Sequence, residues 1–224
     1  MITRIVVLAL AITTSGIGTA HGIITAKSDV LARRSRIGIQ FGYWSHAGST
    51  DETEEINGTV VETDASSDNL TFGLLYTHWM RDTWAIGGEF SAIRSSTNVA
   101  ITSYSIIERT TTIASMLLSL RYYLPELSYR SPIRPFFLAG AGPVFATETL
   151  SEVYGYVYAE SETQTAFCGQ LGGGIDVIAA SQVMVGFKAA YDFMSEYSDP
   201  VGGRRDYSGP EFSLSIGYLF GRRS

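Results

Sequence analysis

E-F-S-L-S-I-G-Y-L-F, residues 211 to 220, decides the fold. Phe212, Leu214, Ile216, Tyr218 and Phe220 fall at every second position, and Glu211, Ser213, Ser215, Gly217 and Leu219 lie between them. A period of two describes a β-strand with two unlike faces. A soluble sandwich strand alternates in the same way, but its wet face carries Lys, Glu, Thr and Arg. Here the polar face is mostly serine and glycine, sized for a cramped interior. The apolar face is uncharged throughout and ends in aromatics. Such a strand turns its bulky side to lipid and its small side to a narrow lumen.

Working outward, seven more stretches repeat the pattern: Arg36–Trp44, Leu70–Met80, Trp84–Arg94, Ile113–Leu124, residues 134–147, Ala166–Ile178 and Val183–Phe193. Their apolar faces supply a lipid-facing set: Ile37, Ile39, Phe41, Phe72, Leu74, Leu118, Leu120, Val185, Phe187, Phe212, Leu214 and Ile216. Tyr43, Trp44, Trp79, Trp84, Tyr122, Tyr123, Tyr218 and Phe220 fall at strand ends, where interfacial aromatic girdles are expected. Pro143 lies inside the fifth stretch and requires a position without a ladder N–H.

The connections alternate long and short. Residues 45–68, 95–110, 148–164 and 195–208 are polar; 45–68 and 148–164 are acidic, and 95–110 is expected to be part strand and part loop. Arg81-Asp82-Thr83, residues 125–133 and Ala179–Gln182 are short. In an up-and-down barrel all long connections then share one rim. The expected fold is therefore all-β: an eight-stranded antiparallel up-and-down transmembrane β-barrel over residues 35–220. Open sheet edges in lipid would leave N–H and C=O groups without partners, so the first and last strands must pair.

Composition bounds the rest. Charged residues reach only 17%, sparse for a wetted surface, and the net charge of −6 argues against a nucleic-acid partner. Residues 1–20 read as a secretory signal peptide, with Arg4, an apolar run from Ile5 to Ala11 and Gly18-Thr19-Ala20 as cleavage site. Residues 21–34 form an N-terminal periplasmic segment, expected to be a linker, and 221–224 a C-terminal tail. Cys168 is the only cysteine, so no internal disulfide closes the fold.

The chain resembles the small eight-stranded outer-membrane barrels of the OmpA/OmpX and OmpW kind. The signal peptide, R-P-F-F-L-A-G-A-G at 134–142 and the terminal strand carry the resemblance, which covers about residues 35–220. It implies an outer-membrane location in a Gram-negative-type bacterium with both termini periplasmic. It also implies contact with outer-membrane lipid and lipopolysaccharide, and recognition of the terminal aromatic by the barrel-assembly machinery. Here Phe220 is followed by Gly221-Arg222-Arg223-Ser224, whereas the family's last aromatic usually ends the chain.

Candidate chemistry lies on the small-residue faces. Gln40, Glu89, Arg121, Gln170, Asp176, Lys188 and Asp192 point inward by parity and form a candidate lumen polar network. A charge in a narrow barrel needs a partner, so a Glu89–Arg121 pair is expected, with Lys188 and Asp176 or Asp192 nearby. A hydrolase of this architecture needs a Ser/His pair and an acidic orienter at the outer rim. His46, beside Ser45 and Ser49, and His78 are candidates without supporting spacing. D-E-T-E-E at 51–55 lacks the glycine and register of a calcium loop. The expectation is a non-enzymatic barrel without metal or cofactor, whose loops meet an extracellular ligand or host surface. A narrow OmpW-like channel for small or apolar solutes is the first alternative. A secreted lipocalin-like barrel, with its apolar side inward, is the second.

Overall fold

The computed structural model describes residues 31–45, 53–56, 59–62, 68–102, 105–125, 132–154, 156–201 and 205–221. The signal peptide, residues 21–30, His46 and the tail residues 222–224 lie outside the described residues. Eight strands close into a ring: β1 (Ser35–Ser45), β4 (Asp68–Arg81), β5 (Trp84–Thr102), β6 (Ser105–Tyr123), β7 (Ile133–Tyr154), β8 (Tyr156–Ala180), β9 (Val183–Met194) and β10 (Gly209–Phe220). Each pairs antiparallel with its chain neighbour, and β1 closes the ring by pairing both β4 and β10, Ser35 lying opposite His78 and Phe220. No edge is left in the barrel wall.

Facing follows side-chain size. Phe212, Ile216, Phe187 and Tyr191 are 46%, 49%, 45% and 37% exposed, so the bulky sides of β9 and β10 line the exterior. Ile37, Ile39, Phe41, Phe72, Leu74, Leu118, Leu120, Val185 and Leu214 are exposed likewise, while Glu89, Arg121, Asp176 and Lys188 are buried. That arrangement excludes the lipocalin alternative, whose apolar sides would pack together inside. On β7 outward apolar residues run from Ile133 to Phe145. At about 2.5 Å of vertical rise per tilted residue this spans roughly 30 Å, the thickness of a hydrocarbon core.

Strand enters two stretches expected as loop and takes up most of a third, 95–110, expected as part strand and part loop. Thr53–Ile56 and Thr59–Glu62, here β2 and β3, pair as a separate hairpin in which β-branched Thr59, Val60 and Val61 form one strand. Residues 95–110 belong mostly to β5 and β6, paired as far as Thr102 opposite Ser105. Residues 148–164 belong mostly to β7 and β8, paired as far as Tyr154 opposite Tyr156. β4 and β9 offer no partner at this height: the β4–β5 ladder stops at Thr71–Ile93 and the β8–β9 ladder at Cys168–Met194. β5 to β8 therefore rise above the rim as a four-stranded extension. Threonine, valine and tyrosine alternate there well enough to hold a ladder, although their polarity reads as loop.

Pro143 sits within the wall with its ring outward. The β6–β7 ladder runs from Leu118–Ala141 to Ser115–Val144 and pairs neither Met116 nor Leu117. The gap lies where proline has no N–H to donate. Beside it a Cβ on Gly142 would collide with the Met116 carbonyl, so the backbone approach demands glycine.

Candidate functional site

Among the described residues, the lumen holds one connected chain of charged contacts. Arg36 on β1 donates from Nη1 to Asp176 Oδ1 on β8 at 2.9 Å and from Nη2 to Ser215 Oγ on β10 at 2.8 Å. Tyr123 on β6 donates to the other oxygen of Asp176 at 2.7 Å, and Arg121 Nη1 lies 3.8 Å from that oxygen. Arg121 Nη2 meets Glu89 Oε1 on β5 at 2.6 Å, and Lys188 Nζ on β9 meets Glu89 Oε2 at 2.7 Å. Lys188 also reaches Glu211 Oε2 on β10 at 3.1 Å. Gln170 Nε2 on β8 donates to Glu211 and to Asp192, each at 2.8 Å. Arg121 is further held by the face of Phe136, 5.0 Å from its centroid.

All of these side chains but the half-buried Ser215 are buried, and their ion pairing follows from that. An isolated ion in such an interior would lose several kcal/mol or more of hydration, so each carboxylate is met by a cation or an amide. Room for the longest of them comes from glycine: Arg36 lies where a Cβ on Gly217 would sit.

Apolar side chains close both ends of the network. Toward the rim with the long connections, Trp44, Ile93, Ile113, Leu117, Val144, Cys168 and Met194 pack with Tyr197, Val201 and Tyr207 of the β9–β10 connection. Tyr207 donates to the Val201 carbonyl and stacks edge-on against Tyr197, which folds that connection over the mouth. Toward the short-turn rim, Trp79, Ala85, Tyr123, Phe136, Met184 and Leu219 pack around Leu31. Leu31 precedes β1 in the segment expected to be a linker. Its N–H and that of Ala32 both donate to Asp82 Oδ1 at 2.9 Å, and the Arg33 N–H donates to the Trp79 carbonyl at 2.8 Å. Arg33 takes a left-handed backbone (φ 63°) to make the turn. The end of the supposed linker is a stopper.

The structure places every expected lumen residue inside. It joins Glu89, Arg121, Lys188 and Asp176 directly, and reaches Gln170 and Asp192 through Glu211. Gln40 is buried on β1 but takes no part in these contacts. Arg36, Tyr123 and Glu211 were not counted as members, yet each shares parity with an inward neighbour, which is the signal that finds them. Arg134, on β7, is buried too.

The girdle needs correction. Trp44, Trp79 and Tyr123 are 4%, 0% and 0% exposed and face inward, where they cap the network. Each has the parity of its strand's inner face, and position at a strand end misled. Tyr43, Trp84, Tyr218 and Phe220 are exposed on the outside, with Tyr122 half-buried beside Trp84. His78, half-buried on the outer face near the short-turn rim, meets Ser35 Oγ at 2.9 Å, and that oxygen also meets the Tyr76 hydroxyl at 3.1 Å. No carboxylate orients this pair among the described residues, and no cluster of three metal-binding side chains occurs among them.

A closed eight-stranded antiparallel barrel, apolar outside and charged within, is the architecture of the small outer-membrane β-barrel proteins. Two solved structures share it across nearly their whole length. Ail, the attachment invasion locus protein of Yersinia pestis, solved with the heparin analogue sucrose octasulfate, is 16% identical, with 84% of this chain and 99% of Ail covered and a TM-score of 0.50. The outer membrane protein OprG of Pseudomonas aeruginosa is 15% identical, with 88% and 100% covered and a TM-score of 0.50. No family model and no curated protein matches the chain.

Proposed function

We propose that this chain is an integral outer-membrane protein whose barrel is a closed, non-enzymatic anchor and whose work is done at its outer rim. The observation that carries this is the arrangement of the lumen: a continuous ion-pair chain between two apolar stoppers, inside a wall whose exterior suits only hydrocarbon. Such an interior holds the wall together and leaves no aqueous path. The four-stranded extension, the β2–β3 hairpin and the folded-over β9–β10 connection share one rim, which faces outward. The short turns face the periplasm, as do the start of β1 and the end of β10. Adhesion, envelope stabilisation or contact with a host surface are the roles this rim can serve.

Several features support the remaining partners. The uncharged outer belt meets lipid, and the terminal strand offers exposed Tyr218 and Phe220 to the barrel-assembly machinery. The heparin analogue on Ail is a polyanion. The acidic long connections of this chain instead favour a cationic extracellular partner, or lipopolysaccharide phosphates bridged by divalent cations.

Planar-bilayer recording of the refolded protein tests the reading. The expected result is insertion without stepwise current. Stable unitary conductance would establish the narrow channel instead, and failure to partition into detergent or bilayer would remove the membrane assignment altogether. Lipid A from cells lacking or overproducing the protein should keep one acyl pattern.

A further inference from the structure

In the half of the lumen nearer the short turns, three neighbouring strands carry a patch that the ion-pair chain leaves unused. Thr77 and Trp79 of β4 and Ser119 and Arg121 of β6 face inward, each more than nine-tenths buried. Between them β5 presents only Gly87 and Ala85. Thr77 lies opposite Gly87, and Gly87 opposite Ser119; Trp79 lies opposite Ala85, and Ala85 opposite Arg121. Two small residues flanked by larger polar ones on both sides make a hollow with a floor and two walls. Trp79 crosses over Ala85 to reach Tyr123 of β6, ring centroids 5.9 Å apart, and bounds the hollow on the short-turn side.

The walls of this hollow end in unused donors. Thr77 Oγ1, Trp79 Nε1, Ser119 Oγ and Arg121 Nε have no hydrogen-bond partner among the described residues. A Cβ on Gly87 would stand 2.7 Å from Ser119 Oγ and 3.7 Å from Arg121 Nε, so these two groups border one point above the glycine. Arg121 turns Nη2 to Glu89 and Nη1 toward Asp176, which leaves its Nε–H for another acceptor. Buried donors without an acceptor lose hydration and regain nothing. The indole and guanidinium nitrogens can only donate, and both hydroxyls can. A water molecule here would accept from two of these groups and then need acceptors for its own two hydrogens. A small anion accepts from every donor that reaches it.

Charge points the same way. On the short-turn side of Glu89, buried Arg36, Arg121 and Arg134 face one buried carboxylate among the described residues, Asp176. Arg36 pairs with it and Arg134 stands opposite it on β7, so Asp176 is already shared. Glu89 itself is divided between Arg121 and Lys188. Toward the other rim the balance reverses, with Asp192 and Glu211 around Lys188. An interior polarised in this way favours negative charge beside Arg121. Width limits the occupant: β4 and β6 lie two strand spacings apart, roughly 10 Å, and their side chains take up most of it. That gap suits a single atom rather than a phosphate or a carboxylate. We infer that the hollow over Gly87 binds a monovalent inorganic anion of halide size, held by Thr77, Ser119 and Arg121 and enclosed when the barrel folds.

The test uses full-length protein refolded into zwitterionic micelles in sodium chloride, sodium bromide or sodium gluconate at one concentration and pH. Wild type should melt higher in chloride than in gluconate. Crystals of the bromide-refolded protein should show an anomalous peak beside Ser119 Oγ and Arg121 Nε. The Thr77→Val/Ser119→Ala variant removes two donors and nearly keeps their shape. It should melt at least as high as wild type in gluconate, lose most of the chloride increment and show no bromide peak. If this variant does not refold, Ser119→Ala alone is read in the same way. A full chloride increment in the variants, no increment in wild type, or water in the hollow with bromide absent or elsewhere would each overturn the inference.

Discussion

Glu89 shows what a single buried carboxylate does in this wall. It accepts from Arg121 on one strand and Lys188 on another, so its removal leaves two cations without their partner. Breaking a buried pair from one side costs about 3–5 kcal/mol, more than the pair contributes against an apolar replacement. Glu89→Ala should therefore lower stability by about that amount in urea unfolding from micelles. A second residue-scale prediction concerns the mouth. Burial first, and neighbouring Tyr207 second, push the Tyr197 hydroxyl above the usual phenol value of 10.0. A raised acid of this kind lends stability that is complete below its unfolded value and lost as pH rises toward the folded one. Docking of the β9–β10 connection should thus hold to about pH 10 and weaken above it. Tyrosinate absorbance should show Tyr197→Phe with one fewer late-titrating phenol than wild type. The Tyr197 hydroxyl makes no hydrogen bond among the described residues, so the phenylalanine variant should fold at least as stably. Parity alone marked Glu89, Arg121 and Lys188 as inward. Trp44 and Trp79 show where a residue-type rule misled: tryptophan near a strand end reads as interfacial unless its parity is checked first.

Among the elements, the extension and the barrel wall differ in support. Residues 168–177 of β8 have neighbours on both sides, whereas residues 156–167 pair with β7 alone. Opening free energy follows such support. Amide exchange should be far faster for residues 157–161 than for 169–175, and equal rates would mean that the extension is braced by something beyond its own ladder. The strand cores were legible because alternation of large and small residues has no competing explanation over ten residues. The extension was not, because Thr110–Thr112 and Thr147–Thr149 are polar on both faces, and a strand without an apolar face has the composition of a loop. The stopper at Leu31 was illegible for another reason. It sits in a stretch without period, and only tertiary packing against Trp79, Tyr123 and Leu219 gives it a place. Leu31→Ala should cost about 2–5 kcal/mol, far more than a linker substitution, in the same urea measurement.

At the scale of the molecule, the two stoppers act in series. Excision of residues 196–207 removes Tyr197, Val201 and Tyr207 but leaves the ion-pair chain and the lower cluster in place, so bilayers should still show no current. Steady current from that variant alone would mean that the lower end leaks. The whole-molecule plan was readable because the connections alternate in length and the faces alternate in size, and only an up-and-down ring satisfies both. The contents of its interior were only half readable. Side-chain parity says which groups enter, but the partner each one finds depends on stagger between strands distant in sequence, as Arg36 and Asp176 show.

Ser35 meets Phe220, so the first stave of this cylinder waits for the last one to be made. Until that seam zips, one flank of β1 stands bare, a template for any stray ribbon of neighbouring chains. Joining ends so far apart along the chain is slow, and it cannot begin before Phe220 has been made. Whatever shields those flanks until closure, the exposure itself is built into how the two margins meet.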